Sequence, residues 1–382
     1  MFEASLSLIT YTYNDGHFVD SLLAEMHNWT VQPDEIVILD DGSSHAYVPP
    51  AFPIPIRLIR HATNQGITRT KHEAISAASS EFLLAMDCDT RLAADWIATC
   101  LPHARRSAVG MVSGPAIYLS GNDLISRFQR AFGDNHNLGL DGPTNFIPGN
   151  AFLLRREVWE RSGGLEGFDP DVCEDHYLCR KIKDLDLLLW IDPKATLQQI
   201  RRINRIAMLK RYWKWCHLAV KKAALATDNF EGYVYATLVI PHSQRLKQCI
   251  ELEEPLFVYL ETLYLSFTIL DILDHLIAND RTTVDSKTAL WMELGRIFGP
   301  FPVLHASLRA DLMQLGQYPA QRGEPAQANP WQAALEPLEV IGKSGILSWL
   351  NKVGIPAMRQ EEETLNYDFS FYEHATRREL QA

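Results

Sequence analysis

The sequence predicts an α/β fold, with a mostly parallel central sheet covered by helices on both faces, followed by a mainly α-helical C-terminal region. Three observations predict it. Short apolar runs alternate with helix-like stretches through roughly the first 200 residues. Polar residues gather just after the apolar runs, at Asn14/Asp15, Asp40/Asp41 and Asp87/Asp89. From about Ala207 onward helical periodicity replaces the alternation. The division expected is a first domain over residues 1–205 and a second, helical one over 206–382.

Taken in order, Leu6 to Thr12 reads as a strand, His17 to Asn28 as a helix, and Glu35 to Asp40 as a strand ending in Asp-Asp-Gly-Ser. Pro55 to Arg60 is a third strand and Thr68 to Ser79 a helix. Phe82 to Met86 is a fourth strand, ending in Asp-Cys-Asp. Asp89-Thr90 has the chemistry to cap a following helix with its body at Leu92 to Leu101. In open α/β sheets ligands bind beyond the carboxyl ends of the strands, so acidic clusters at that edge point to one site built from several loops. The second half reads as helices over Ile206 to Ala226, Leu246 to Ala278 and Thr288 to Phe298, with a loop from Gln317 to Asn329. From Gln360 the chain is a charged end segment.

Composition narrows the function classes. The chain has 382 residues, 47% of them apolar and 22% charged, as in an ordinary globular protein and unlike a disordered or collagenous chain. Its 47 acidic and 36 basic residues give a net charge of −11, which argues against a generally basic nucleic-acid surface. Cysteines 88, 100, 173, 179, 216 and 249 show no CxxC spacing and read as free thiols. The N-terminus lacks the pattern of a secretory leader, so a cytoplasmic setting is expected, with peripheral contact at the inner membrane face allowed. The longest apolar stretch, Glu254 to Ala278, carries Glu261, Asp271, Asp274 and His275 and is expected to be a buried amphipathic helix, not a span. Such apolar helices need a partner surface, and a homodimer is one way to supply it.

The acidic clusters carry the chemistry. Asp87 and Asp89 flank Cys88 on a tight turn after a buried strand, and paired carboxylates suit a hard divalent ion, Mg²⁺ or Mn²⁺, completed by a diphosphate and water. Gly42 permits a sharp turn after Asp41, whose carboxylate could accept hydrogen bonds from a base or ribose. Lys71, about one turn into the helix after Asn64-Gln65-Gly66, is placed to neutralise phosphate charge or, alternatively, to be an exposed surface lysine. Glu174-Asp175 opens a helix, where acids complement the dipole and one could also act as a general base toward an acceptor hydroxyl. The stretch Arg201 to Lys222 holds eight Lys/Arg, Tyr212, Trp213 and Trp215 and no acid. It could grip an acceptor phosphate, rest on an anionic membrane or close over a donor diphosphate, or simply be a helix with solvated lysines.

Together SLITYTYND, ILDDGSS, NQGITRTKHEAI, LLAMDCDT, GNAFLLRREVWERSGGLEGFD and the later Glu-Asp pair resemble a family 2 glycosyltransferase of GT-A, Rossmann-like fold, from about residue 4 to residue 195. The resemblance implies an inverting enzyme that moves a sugar from a nucleotide-sugar donor, most often a UDP-sugar, to an acceptor. It implies Thr12 and Tyr13 in the nucleotide pocket and Asp41 on the base. Lys71, where the family usually has arginine, falls on the diphosphate side, and His72 replaces a frequent asparagine. Asp87, with Cys88 beside it, falls at the ribose or sugar, and Asp89 at the metal. Asp175 would be the catalytic base, with Glu174 and the Gly149-Asn150 loop near the acceptor. Many relatives add a metal-binding histidine after the Glu-Asp helix; this chain has Gln198-Gln199-Ile200-Arg201-Arg202 there. Arg201 and Arg202 are therefore kept as candidates on the acceptor or diphosphate side. The acceptor could be a glycan, lipid, protein or small molecule. The reading from another class is an inactive nucleotide-sugar-binding or scaffold protein of the same fold, which would be expected to lose Asp89 or Asp175; a nucleotidyltransferase fits less well, for want of a glycine-rich phosphate loop.

Overall fold

The computed structural model describes residues 5–118, 121–132, 137–170, 172–319, 331–343, 345–365 and 367. Most of the expected Gln317 to Asn329 loop, Ser344 and the charged end beyond Tyr367 lie outside the described residues. The chain forms two compact units, one running to Asn122 and resuming over Ser126–Arg202, the other made of Asp123–Ile125 and Ile203–Tyr367.

In chain order the first 200 residues form β1 (Leu6–Thr12), α1 (Gly16–Met26), β2 (Glu35–Asp40), β3 (Ile56–Arg60), α2 (Ile67–Ala77), β4 (Phe82–Met86) and β5 (Thr90–Leu92). There follow α3 (Trp96–Ala104), β6 (Val109–Ser113), β7 (Ala116–Tyr118), α4 (Leu124–Phe132), β8 (Gly142–Thr144) and β9 (Ala151–Arg155). The series ends with α5 (Arg156–Ser162), α6 (Glu174–Lys183), β10 (Leu188–Ile191) and β11 (Leu197–Gln199). Eight strands make one sheet in the order β3-β2-β1-β4-β9-β6-β10-β8, and β5-β11-β7 make a small second sheet. The run β3-β2-β1-β4 is parallel, whereas β9 lies antiparallel between β4 and β6 and β8 is antiparallel to β10. The expected parallel arrangement therefore holds for one half of the sheet and gives way to a mixed one in the other.

Alternation along the strands sorts the core. Leu6, Leu8, Ile36, Ile38, Phe82 and Leu84 pack on one face with α1 and α3, through side chains such as Leu22, Met26, Trp96 and Cys100. Ile9, Tyr11, Val37, Leu39, Leu83 and Ala85 pack on the other, against Ala74, Ile75, Trp159, Leu178 and Ile182 of α2, α5 and α6. Strands buried on both faces read as continuous apolar runs, as β2 and β4 do over Ile36–Leu39 and Phe82–Met86. One element differs from expectation: Asp89-Thr90 does not cap a helix. Thr90 enters β5 instead, and α3 begins at Trp96.

The second unit is helical: α7 (Arg205–Ala226), α8 (Phe230–Val234), a π-helical turn at Tyr235–Val239, α9 (Ile240–Glu251) and α10 (Pro255–Ala278). It continues with α11 (Val284–Phe298), α12 (Pro302–Gln314), α13 (Trp331–Lys343), α14 (Ile346–Trp349), a second π-helical turn at Leu350–Gly354 and α15 (Ile355–Thr364). The single helix expected over Leu246 to Ala278 is two, because Pro255 lacks the N–H that a continuing helix would use and starts a new one. Helix α10 is long and apolar enough to cross a membrane, but 89% of its most apolar window is buried inside the molecule. Its burial runs all round the helix from Leu256 to Leu270, so it is a central core helix and not an amphipathic one. The partner surface it needs is supplied within the described chain, which removes the reason for invoking a dimer on its account. All six cysteines are free thiols.

Candidate active site

The parallel strands β1, β2 and β4 end at one edge of the sheet, and their loops carry three linked groups of polar side chains. At the end of β1, Thr12 is buried; its Oγ1 has no hydrogen-bond partner among the described residues, and half-buried Tyr13 follows it. Its carbonyl accepts the Asp41 N–H at 2.9 Å, which ties the β1 and β2 ends together. Asp40 is wholly buried, accepting from the Ser43 and Tyr47 N–H groups, 3.0 Å each, and from Arg60. Asp41 accepts from the N–H of Gln65 at 2.7 Å and of Gly66 at 3.1 Å, and pairs with His61 Nδ1 at 2.6 Å. His61 Nε2 reaches Glu73 at 2.9 Å. Burial works against protonation of His61, but Asp41 and Glu73 outweigh it and raise its pKa. The sequence reading aimed Asp41 at a nucleotide base; in the fold its carboxylate is engaged by these donors and serves first as the clasp of the Asn64–Gly66 loop. Gly42 fits here because a Cβ on it would lie 2.5 Å from the Thr63 carbonyl carbon, at a φ of +73°.

The second group centres on Lys71. It is not a surface lysine but only 4% exposed. Its ammonium donates to the Gly149 carbonyl at 3.0 Å and to Glu174 at 2.7 Å, and lies 3.6 Å from Asp87. Burial opposes its charge, yet Glu174, Tyr11 and Asp87 hold it well above the ordinary lysine range. The Tyr11 hydroxyl donates to Asp87, and the Lys71 ammonium stands 5.4 Å from the centre of the Tyr11 ring. Asp87 is pushed up to about 6, by burial first and by its like-charged neighbours Asp89 and Glu174, against the pull of Lys71. Its N–H donates to the Asn150 carbonyl at 2.9 Å. Asn150 is buried, and its side-chain Nδ2 has no partner among the described residues, an unspent donor beside the carboxylates.

Across Gly149 from Lys71 sits Asp175. Its Oδ2 accepts the Gly149 N–H at 3.1 Å and its Oδ1 the His176 N–H at 2.8 Å. Burial and adjacent Glu174 raise its pKa, only partly countered by Lys71 and these N–H groups. The turn that aims the pair is made by Cys173, a non-glycine residue held at φ 63° immediately before α6.

The third group joins Asp89 to Arg201. Strand β11 pairs with β5, Gln199 opposite Thr90, and the Ile200 N–H donates to the Asp89 carbonyl at 2.9 Å. That register delivers the next residue, Arg201, onto the Asp89 side chain. Arg201 Nε donates to Asp89 at 2.6 Å, while Nη1 and Nη2 donate to the two oxygens of Asp15 at 3.2 and 2.8 Å. All three side chains are buried, and the guanidinium carbon stands 4.7 Å from the centre of the Phe18 ring. Burial opposes the Arg201 charge, but Asp89 and Asp15 outweigh it and raise its pKa well above the usual value. Arg202 is exposed, so the two arginines part company. Cys88 is buried between the two aspartates; burial first, then Asp89, pushes its thiol well up, so it is no nucleophile.

Most of the expected residues are thus drawn to one strand edge: Asp87, Lys71, Glu174, Asp175, Gly149 and Asn150 in one contact group, Asp89 and Arg201 in the next. Tyr11 and His61 were missed, and Asp15 was read only as part of the Asn14/Asp15 cluster after the first strand. Tyr11 lies inside the stretch SLITYTYND, where it reads as one more strand residue. Asp15 does precede α1, but its carboxylate makes no cap bond and goes to Arg201. Among the described residues no three His, Cys, Asp or Glu side chains are placed to hold a metal ion. Asp87 and Asp89 alone offer hard oxygen donors, a set that fits a divalent ion only when a bound ligand's phosphates and water complete the shell.

The description "Glycosyl transferase family 2" matches residues 7–163, a stretch that ends before Asp175 and Arg201. An uncharacterized glycosyltransferase of Haemophilus influenzae is 31% identical over 85 residues, which span 22% of this chain and 29% of that protein's length. Among solved structures, the mannosyltransferase PcManGT from Pyrobaculum calidifontis, in complex with GDP-Man and Mn²⁺, shares 16% identity over 82% of this chain and 88% of its own, with a TM-score of 0.42. Residues 1–349 of S. aureus TarS in complex with UDP-GlcNAc share 11% over 93% and 92%, also at 0.42. Those likenesses are too distant to carry a substrate or a metal to this chain. Residues 7–163 are thus similar to glycosyl transferase family 2, and the unit that contains them is built on a mixed sheet with flanking helices.

Proposed function

We propose that the protein is an inverting glycosyltransferase that moves a sugar from a nucleotide-sugar donor, a UDP-sugar foremost, to an acceptor hydroxyl. The observation that carries this is Asp175: a half-buried carboxylate oriented by the Gly149 N–H at 3.1 Å, with a raised pKa and adjoining the group that holds Asp87. A carboxylate made more basic by its surroundings is suited to taking a proton from a hydroxyl. Asp175 takes the acceptor proton as the acceptor oxygen bonds to the anomeric carbon. The bond from that carbon to the diphosphate oxygen breaks, and its electron pair leaves with the nucleoside diphosphate.

Asp87 and Asp89 would hold a divalent ion, Mn²⁺ or Mg²⁺, which when bound supplies positive charge for the leaving diphosphate. Lys71 was expected to face the phosphates. With its ammonium committed to Glu174 and Gly149 and set close to Asp87, it acts here as a positioning residue that fixes the base-bearing turn against β4. Thr12 Oγ1 and Asn150 Nδ2, both buried without partners among the described residues, are available to a bound donor.

The test is Asp175→Asn, with nucleoside diphosphate release followed over a panel of UDP-, GDP-, dTDP- and CDP-sugars and nucleotide affinity measured by calorimetry. Turnover should fall about 10²–10⁴-fold, the usual worth of a general base, with affinity within a factor of a few. Turnover at the parent rate would remove Asp175 from the role. The scaffold reading would gain if the parent protein bound a nucleotide sugar and never turned it over.

A further inference from the structure

Arg201 does more than fill the place where a metal-binding histidine was expected. Its three donor nitrogens are divided between two carboxylates: Nε donates to Asp89, and Nη1 and Nη2 form a two-point fork on Asp15. A partner that took Asp89 from Nε would leave the fork on Asp15 intact. Counted with Asp87, the three carboxylates and one guanidinium sum to −2, which repels a diphosphate. Adding a dication brings the same group to zero, which removes that repulsion.

We propose that Arg201 is the resident counter-cation of Asp89, that a divalent ion and Arg201 are alternative partners of that carboxylate, and that Arg201, once released from Asp89, stays anchored on Asp15 and meets the donor diphosphate. Asp15 is thus a positioning residue that keeps the guanidinium at the cleft. Two consequences follow. The metal binds weakly to the protein alone, because it must displace Nε from a buried ion pair, and it binds together with the nucleotide, whose phosphates complete its shell. This inference rests on Asp87 and Asp89 being the metal-binding pair.

The experiment is a Mn²⁺ titration followed by electron paramagnetic resonance, with and without UDP, on the parent protein, Arg201→Gln and Arg201→Lys, with UDP affinity at saturating Mn²⁺ measured by calorimetry. In the parent, UDP should tighten Mn²⁺ binding about tenfold or more. In R201Q, Mn²⁺ should bind without nucleotide about tenfold more tightly than in the parent, while UDP binds at least several-fold more weakly; R201K should stay nearer the parent. Opposite movement of the two affinities is what a merely structural arginine would not produce. Tight Mn²⁺ binding to the parent without UDP, a result needing no variant, overturns the competition, and so does a loss of both affinities in a folded R201Q. No Mn²⁺ binding by the parent even with UDP bound overturns the metal reading itself, and this inference with it.

Discussion

Gly149 does the work of two residues. Its carbonyl takes the Lys71 ammonium, its N–H takes Asp175, and a Cβ on it would sit 2.6 Å from Lys71 Nζ and 3.2 Å from Glu174 Oε1. Gly149→Ala must push the ammonium aside, and the ammonium is the flexible end of a side chain, so the fold should tolerate it. The geometry of Asp175 should not: turnover is expected to drop about 10–100-fold, in line with the cost of small misplacements at a reacting centre, with melting temperature nearly unchanged. Parent-like turnover in a folded G149A would show that the Lys71–Gly149–Asp175 arrangement does not set the rate. The sequence shows Gly149, Glu174 and Asp175 as motif residues, but not the partners that decide what they do. Lys71 and Glu174 lie 103 positions apart. Nothing local to a helix reading TRTKHEA separates an inward lysine from an outward one, because its burial depends on carboxylates delivered by other elements.

The loop after β3 is held by titratable side chains. His61 bridges Asp41 and Glu73, and Asp41 in turn grips the N–H groups of Gln65 and Gly66 at the start of α2. The folded-state pKa of His61 is raised, so its contribution to stability is fully present below the unfolded value of about 6.5 and is lost as pH rises through the folded value. The melting temperature of the parent relative to His61→Gln should therefore be highest in mild acid and shrink on the alkaline side. A difference independent of pH would mean that the imidazole acts by shape alone. Elements such as β2 and β4 were legible because uninterrupted apolar runs leave few alternatives. The direction of β9 was not: a strand buried on both faces has the same pattern run either way, and only its neighbours β4 and β6 make it antiparallel. The α3 start was misplaced for a related reason. Asp89 and Thr90 look like a cap, but the pairing of β5 with β11 claims their backbone.

The two units take their cores from different patterns, the first from strands of alternating face and the second from a helix apolar on every side. What organises the second is a buried ionic group. Arg205 donates to both oxygens of Asp311 at 2.7 Å and also to Glu362; Tyr259 donates to Asp311 at 2.5 Å, and Arg359 at 2.9 Å. Asp311 is wholly buried, and although burial alone would raise its pKa, Arg205 and Tyr259 bring it below the usual value. These residues come from α7, α10, α12 and α15, so one carboxylate fixes the register of four helices that helical periodicity alone leaves free to slide. A residue pair 106 positions apart carries no signal in sequence, which is why the helices were readable and their arrangement was not. Removing one member of a buried pair leaves an uncompensated charge and costs about 3–5 kcal/mol. Asp311→Asn keeps the shape and some hydrogen bonds, so a loss near the lower figure is expected, about 6–12 °C in melting temperature for a unit of this size. Hydrogen exchange should quicken first in α10 and α12, while β1, β2 and β4 keep their protection. Parent-like exchange in α10 would mean that apolar packing alone sets the register and that the ionic group is incidental to it.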